Sequence, residues 1–329
     1  MISAKIVADS INQQGDRLTS LVLTYPRIIH AEMMTHRMFS RNASSSRAVP
    51  VDKMIKAVRE NTFCPFEFQK SHKGMQGSEY FTGAEKQECV NLWLESAELA
   101  LQQAEKMKAK GISKQIINRI LEPYQYYTIL ITGSKEGWDN FFSLRNPVYE
   151  TPYGDFLSRK DAVKADERNY NDVATFHPQE KNSLYFENFT DLDWLSINKG
   201  KAEIHMMMLS EEIYDAVNES TPKFLQPGEY HLPFGDNISS DVTLYSKDPK
   251  VQAELWGKDL TDLHIKIAVA RCARISYETL GDNPKIDYEA DIRLHDILTE
   301  SGHWSPCEHV ARCMTEEEYL SNVRGELGY

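Results

Sequence analysis

Between Thr35 and Ala48 the chain reads THRMFSRNASSSRA, which sets Arg37, Arg41 and Arg47 among five hydroxyl side chains, one His and one Asn. Guanidinium forks bind phosphate oxygens two at a time, and short hydroxyls complete such a shell. Ser44, Ser45 and Ser46 alone would suit a polar loop; with the arginines interleaved, an anion pocket is the better reading. A second stretch, SGHWSPCEH at 301–309, carries His303, Glu308 and His309. Helical zinc motifs place two histidines one turn apart and Pro306 interrupts any such helix, so no metal site is expected. Gly302 should end the preceding helix, and Ser305 with Glu308 three residues later reads as a capping box for the next. That leaves His303 without structural work, beside a helix N-terminus where a ligand's phosphate or ring edge can sit.

Composition narrows the function classes. With 329 residues and 41% hydrophobic content the chain can bury a sizeable core. A formal charge of −12 opposes binding to a nucleic-acid polymer, so any anion must be small and held by a local cationic pocket. The five cysteines lack CxxC spacing and read as reduced thiols. No GxSxG elbow, GxGxxG fingerprint or Walker loop is present. The absence of an eighteen-residue apolar run and of a basic-then-apolar N-terminus sets the expectation of a cytoplasmic protein without a membrane partner.

The elements that must position these residues follow from periodicity. A β-rich stretch at 18–25 meets Pro26 and gives way to helical spacing at Ile28, Ile29, Met33 and Met34, so the arginine-rich motif begins at a helix end. Residues 84–110 place Val90, Trp93, Leu94, Ala97 and Leu101 on one face of a long core helix that Gly111 stops. Ser113 caps a further helix that Pro123 ends, and WDNFFSLR forms another turn or two. Residues 146–200, rich in Asn, Asp, Pro and Lys, read as an irregular insertion or lid. Helical period returns at 202–217, where the Met206–Met208 triplet reads as adaptable core. LQPGEYHLPF is a loop or hairpin, and the last third holds KIAVARCARISYE followed by a helix over EADIRLHDILTESG.

Together these stretches resemble the flavin-dependent thymidylate synthases, whose hallmark is Arg-His-Arg, seven residues, Ser, one residue and Arg. Thr35, His36, Arg37, Ser45 and Arg47 occupy those places. Gly302 to His309 match the family's Gly-His-x-Ser/Thr-Pro-x-Glu-His segment, Ala273 to Tyr277 its Ala-Arg-x-Ser-aromatic stretch, Asn140 to Arg145 its NFLNLR-like helix, and Glu203 with Ile204 its later helix. The Gly-His segment precedes the arginine motif in the family and lies at the opposite end here, which resembles a circular permutation. Residues 1–30 and 310–329 should then be spatial neighbours. Variants carrying a PGEYHLPF-like loop resemble bacteriophage enzymes, which would work in a host cytoplasm.

The resemblance implies a single α+β catalytic domain over 1–329, with a mostly antiparallel sheet flanked by long helices. It implies reductive methylation of dUMP at C5, with methylenetetrahydrofolate giving the carbon, FAD the hydride and NADPH regenerating the flavin, in a homotetramer with shared sites. By the same resemblance Glu32, Ser45, Arg47, Arg119 and Arg145 bind dUMP; His36, Arg37, Asn140, Ser305 and Glu308 line the flavin; and Arg145 and His303 carry the catalytic roles. Thr35 replaces the first Arg of the motif, Ala43 stands where Glu is usual, and Glu32 where Gln is frequent. Those departures keep open a relative that methylates or hydroxymethylates dCMP, and a nucleotide-binding relative without catalysis.

Overall fold

The hairpin that founds the sheet forms where the N-terminal alternation is cleanest. In the computed structural model, which describes residues 1–74, 77, 79–176, 184–277 and 287–324, β1 (Ser3–Ile11) and β2 (Arg17–Pro26) pair antiparallel from Ser3↔Thr24 to Ile11↔Arg17. Asn12 closes the turn by accepting from the backbone N–H groups of Gln14 and Asp16. After one 3-10 turn come α1 (His30–Met33), β3 (Ser40–Ala43), α2 (Val51–Glu60), α3 (Gly83–Ala109), α4 (Lys114–Ile117), β4 (Tyr126–Ser134) and α5 (Lys135–Arg145). β4 runs beside β2 over its whole length and takes β3 on its other edge.

The second half opens with β5 (Tyr149–Thr151), β6 (Gly154–Phe156), α6 (Arg159–Phe176) and α7 (Asp191–Ile197). It continues through α8 (Ile204–Glu219), β7 (Lys223–Phe224), β8 (Tyr230–His231), α9 (Pro249–Leu255), α10 (Thr261–Arg274), α11 (Tyr288–Glu300), β9 (Ala311–Arg312) and α12 (Glu316–Arg324). The main sheet has the order β3-β4-β2-β1-β7, antiparallel except where β7 joins β1 in parallel. The expected α+β class with a mostly antiparallel sheet and long helices is what the chain adopts.

Alternation on β2 and β4 gives the sheet two apolar faces. Leu21, Leu23, Tyr25, Ile129 and Ile131 pack against Trp138, Phe141 and Phe142 of α5 and Met206, Leu209, Ile213 and Val217 of α8. Each fully buried side chain of this size contributes roughly 1.5–3 kcal/mol. Of the methionine triplet, Met206 and Met207 are core residues and Met208 is only half-buried. On the opposite face Leu130 meets Cys272 and Ile275 at the end of α10. The long helix α3 is less buried than expected: Ala97, Leu101 and Ala104 face α2 and α4, whereas Leu94 is 42% exposed and Trp93 is half-buried. Its buried stripe therefore lies about a turn further toward the C-terminus than the apolar spacing suggested, because small alanines make the close contact.

Residues 146–200 are not the irregular segment expected. They form the β5–β6 hairpin, α6 and α7 around Tyr149, Ala162, Phe186 and Trp194, with the Phe186 and Trp194 rings stacked at 4.7 Å; residues 177–183 lie outside the described ones. Thr190 and Asp193 form a full capping box at α7. The unit docks through Glu211 of α8, which accepts from the Arg159 backbone N–H at 2.6 Å and the Tyr149 hydroxyl at 3.0 Å.

The described C-terminal residues reach the N-terminal hairpin by way of β8, and residues 325–329 lie outside the described ones. β9 pairs with β8, and Cys313 and Gly228 exchange backbone bonds with Glu229 and Cys313. His231 of β8 bridges Ser10 of β1 at 2.7 Å and Ser20 of β2 at 2.8 Å.

Candidate functional site

The loop between α1 and β3 can lie flat on the start of α5 because the facing residues have no side chains. A Cβ at Gly133 would come within 2.6 Å of the Phe39 ring, and one at Gly137 within 3.2 Å of it. Ser134 caps α5 by accepting from the Gly137 N–H. Trp138, Phe141 and Phe142 face the core, which leaves Asn140 and Leu144 outward and Arg145 half-buried at the helix end. A cleft of about 190 Å³ results, with Thr35, His36 and Arg37 on one wall and Gly137, Asn140 and Arg145 on the other. Four residues expected in one site, His36, Arg37, Asn140 and Arg145, therefore come together from segments about a hundred positions apart.

Arg145 is the centre of this cleft's polar network. Its Nε donates to His36 Nε2 at 2.9 Å, and its Nη1 forms an ion pair with the Glu32 carboxylate. The two side chains are 22% and 28% exposed, so the pair is partly screened by solvent. An arginine only donates, so His36 Nε2 must be the acceptor and the ring proton sits on Nδ1. Burial, then the charges of Arg145 and Arg41, pushes His36 down to about 4, so the imidazole is neutral at pH 7. Thr35 donates to the Glu32 carbonyl at 2.7 Å and Arg41 to that of Met34, which fixes the turn bearing Glu32. Arg37 is exposed and makes no ion pair among the described residues.

Ser45, Arg47 and Arg119 form a second locus beyond the other end of β3, a strand of roughly 13 Å for its four residues. The serine triplet is held by its backbone. Ser44 N–H donates to Thr128 O at 2.9 Å and Ser45 N–H to Ser276 O at 3.0 Å, while the Tyr127 hydroxyl donates to Ser44 O. Asn118 donates to the carbonyls of Ser46 at 2.6 Å and Val49 at 3.0 Å, which brings the turn carrying Arg119 to the loop carrying Arg47. Arg119 has Glu122 within 3.6 Å, whereas Arg47 is exposed and makes no ion pair among the described residues. The Ser44 hydroxyl is buried and has no hydrogen-bond partner among the described residues.

His303, Ser305 and Glu308 do not line the cleft. The expected capping box at Ser305 is absent: residues Cys307–His309 make a single 3-10 turn behind Pro306, with no side-chain cap. Pro306 has no N–H to donate and the turn is too short for a helix N-terminus, so no anion site of that kind exists there. Gly302 does end α11 with φ 76°. His303 is exposed and shares a 2.9 Å hydrogen bond with the Ser301 hydroxyl, and Glu308 is exposed. His309 is buried, with its Nδ1 2.8 Å from the Thr132 hydroxyl. Among the described residues no group of three His, Cys, Asp or Glu could hold a metal ion.

Arg41 was legible as an anion-pocket arginine, but its effect on His36 and the part played by Asn118 had no clear sign in the sequence. Arg41 acts on His36 through its field and not by contact, and Asn118 fixes the serine loop from beside a residue singled out for its charge. Gly133 and Gly137 did carry a signal, since glycine inside regular elements marks a close approach.

No protein-family model matches the chain, and no curated protein matches it. Two solved structures of a UMP/dUMP methylase, PolB from Streptomyces cacaoi, are similar to it. The one bound with 5-Br dUMP is 14% identical over 54% of this chain and 92% of its own, with a TM-score of 0.36. The one bound with 5-Br UMP is 16% identical over 54% and 91%, with a TM-score of 0.37. A likeness that distant carries neither substrate nor chemistry from one protein to the other.

Proposed function

We propose that this chain methylates a pyrimidine nucleoside monophosphate at C5 by flavin- and folate-dependent chemistry, with dUMP to dTMP as the reference reaction. The observation that carries this reading is the cleft uniting His36, Arg37, Asn140 and Arg145, which belong to two separate motifs of the resemblance described above. Arg37 and Arg47, exposed and without ion pairs among the described residues, add to it in a chain of net charge −12, because such arginines suit bound anions.

In this reading Ser45, Arg47 and Arg119 hold the nucleotide phosphate, and Arg145 donates to acceptors on the base. His36, neutral and accepting from Arg145 Nε, fixes the plane of that guanidinium. Arg37 and Asn140 offer a positive charge and an amide to the carbonyl and phosphate groups of FAD. Reduced FAD, regenerated by NADPH, supplies the hydride in such a reaction, and methylenetetrahydrofolate the carbon. The donor set fits a flavin ring edge or a phosphate. The cleft's 190 Å³ equals the liquid volume of roughly six waters, room for one ring system and not for a whole dinucleotide. The rest of the cofactor must extend past this cleft. A homotetramer whose copies complete each other's sites would also employ His303, Ser305 and Glu308.

The test is the visible spectrum of the protein after mixing with FAD and removing the excess, followed by anaerobic NADPH, folate and nucleotide, with product mass as the readout. A retained flavin that bleaches, and a product 14 mass units heavier than the nucleotide as one added CH₂ requires, are the expected results. Nucleotide binding without flavin retention would instead identify a binding protein that performs no methylation.

A further inference from the structure

A second cavity lies on the face of the sheet opposite α5. Alternation along β4 turns Ile129 and Ile131 toward α5 and sets Tyr126, Thr128 and Leu130 on the other side, where Leu130 packs with Ile275 beyond the end of α10. Between these strand residues, α2 and Ile275 the chain leaves a pocket of about 350 Å³, nearly twice the 190 Å³ of the cleft at Arg145. Val49, Met54 and Ile275 give it a buried apolar floor, and the Tyr126 ring is braced edge to face by Phe63 at 5.7 Å. Gln125 is the buried polar residue of the lining, 7% exposed. Its backbone is fixed, the N–H donating to Glu122 O at 3.3 Å and the carbonyl accepting from the Arg27 N–H at 2.9 Å. Its Nε2 is buried and has no hydrogen-bond partner among the described residues. A buried donor left in that state is costly, and a ligand acceptor would relieve it.

We propose that this pocket binds an uncharged, flat cyclic amide, a ring of the uracil kind, at a site separate from the cleft at Arg145 and independent of the chemistry proposed there. A carboxamide presents a donor and an acceptor side by side, which is the complement of the C=O and N–H along a lactam edge. The apolar floor and the Tyr126 ring suit the faces of such a ring, in the usual pattern of a mostly apolar pocket with few polar groups. Charge in the lining is balanced: Lys53 and Glu60, both exposed, are one of each sign. α2 ends at Asn61, so the carbonyl end of its dipole disfavours an anion here. The serine loop runs beside the pocket, with the Ser44 N–H on Thr128 O and the Ser45 N–H on Ser276 O, but Arg47 is not in the lining. A ring that lacks the lactam N–H or carbonyl leaves a buried amide atom unpaired, which reduces affinity by about tenfold or more.

The experiment is an NMR titration of the full chain, with nitrogen-labelled Gln and Asn side chains, using free uracil as the probe. Uracil should move the Gln125 and Asn61 amide signals to saturation. 1,3-Dimethyluracil keeps both carbonyls but has no N–H, and should bind about tenfold more weakly or worse. In Gln125→Leu, uracil binding read from the Asn61 amide should fall by about the same factor. That variant should melt no lower than the native protein, because the native Nε2 has no partner among the described residues to lose. Uracil that leaves the Gln125 amide unmoved, or that moves Asn140 of the cleft and not Gln125, overturns the proposal. So does equal binding of uracil and its dimethyl analogue, or undiminished binding in a folded Gln125→Leu protein. Should that variant fail to fold, the two native titrations decide the matter alone.

Discussion

Arg145 holds two neighbours in defined states, so its loss should be visible in both. In Arg145→Ala the Glu32 carboxylate loses its counter-ion and His36 Nε2 its donor, in a partly buried setting. Leaving such groups without partners costs about 1–3 kcal/mol, read as a lower urea midpoint. The same change removes one of the two arginine charges that lower His36, after burial the larger cause, so the imidazole should titrate above its native value of about 4. Nitrogen NMR of the ring checks this, and should also find the proton on Nδ1 in the native protein. A ring that titrates unchanged would mean that burial alone sets its charge. His36, Arg37, Asn140 and Arg145 were legible in the sequence because guanidinium, imidazole and amide side chains announce themselves by type and spacing. The ion pair to Glu32 was not, since it depends on how α1 is turned against the end of α5, a tertiary choice that no local pattern encodes.

At the scale of elements, the cleft exists because α5 and the end of β4 carry glycine where the loop at 35–39 lies down. Phe39 packs on Trp138 at 4.3 Å and on Phe141 at 5.8 Å, so its ring has little room to retreat. Gly133→Ala would press a Cβ to 2.6 Å from that ring and should destabilise the fold by about 1–3 kcal/mol, the usual range for overpacking. Because Phe39 belongs to the loop bearing His36 and Arg37, the variant should also weaken the nucleotide binding proposed for this cleft. A thermal melt and a calorimetric titration measure the two effects, and a variant as stable as the native protein would show that the loop has slack. Periodicity foretold β2, α3, α5, α8 and α11, where long apolar repeats decide the element. It missed the unit at 146–200 because that unit's core is a few aromatic rings, Tyr149, Phe186 and Trp194, which bury much area from scattered positions and leave no repeat to read. It also misplaced a helix start at Ser305: the S-x-x-E spacing is right, but Pro306 and the sharp turn to His309 override it.

For the whole molecule, two buried histidines run between the N-terminal hairpin and the segment around His309. Ser10, His231, Ser20, Thr132 and His309 form one line of hydrogen bonds through β1, β2 and β4, with distances of 2.7, 2.8, 2.5 and 2.8 Å. The hydroxyls can reverse their donor roles, so a second proton on either imidazole is opposed by the burial of its charge and not by the hydrogen-bond count. Burial lowers His231 to about 4, against the raising effect of Asp9, and lowers His309 to about 4 together with the nearby His231. His36 is lowered to a similar value. These three groups bind protons more weakly in the folded chain than in the unfolded one, where histidine titrates near 6.5. Their contribution to stability is therefore complete above about pH 6.5 and is lost as pH falls toward 4, by up to about 1.4 kcal/mol per pH unit for each. Urea melts from pH 7.5 to 4.5 should show that decline beginning near 6.5. Thr132→Val, similar in shape but without the hydroxyl, breaks the line at its centre and should weaken the attachment of residues 302–313 at neutral pH. Hydrogen exchange then separates two accounts of the ends. If the histidine line holds them, exchange in 302–313 rises in Thr132→Val at pH 7 and in the native protein at pH 5, ahead of the sheet. If the β8–β9 pairing alone suffices, exchange there rises only with that of β2 and β4, and acid unfolds the molecule as a single unit.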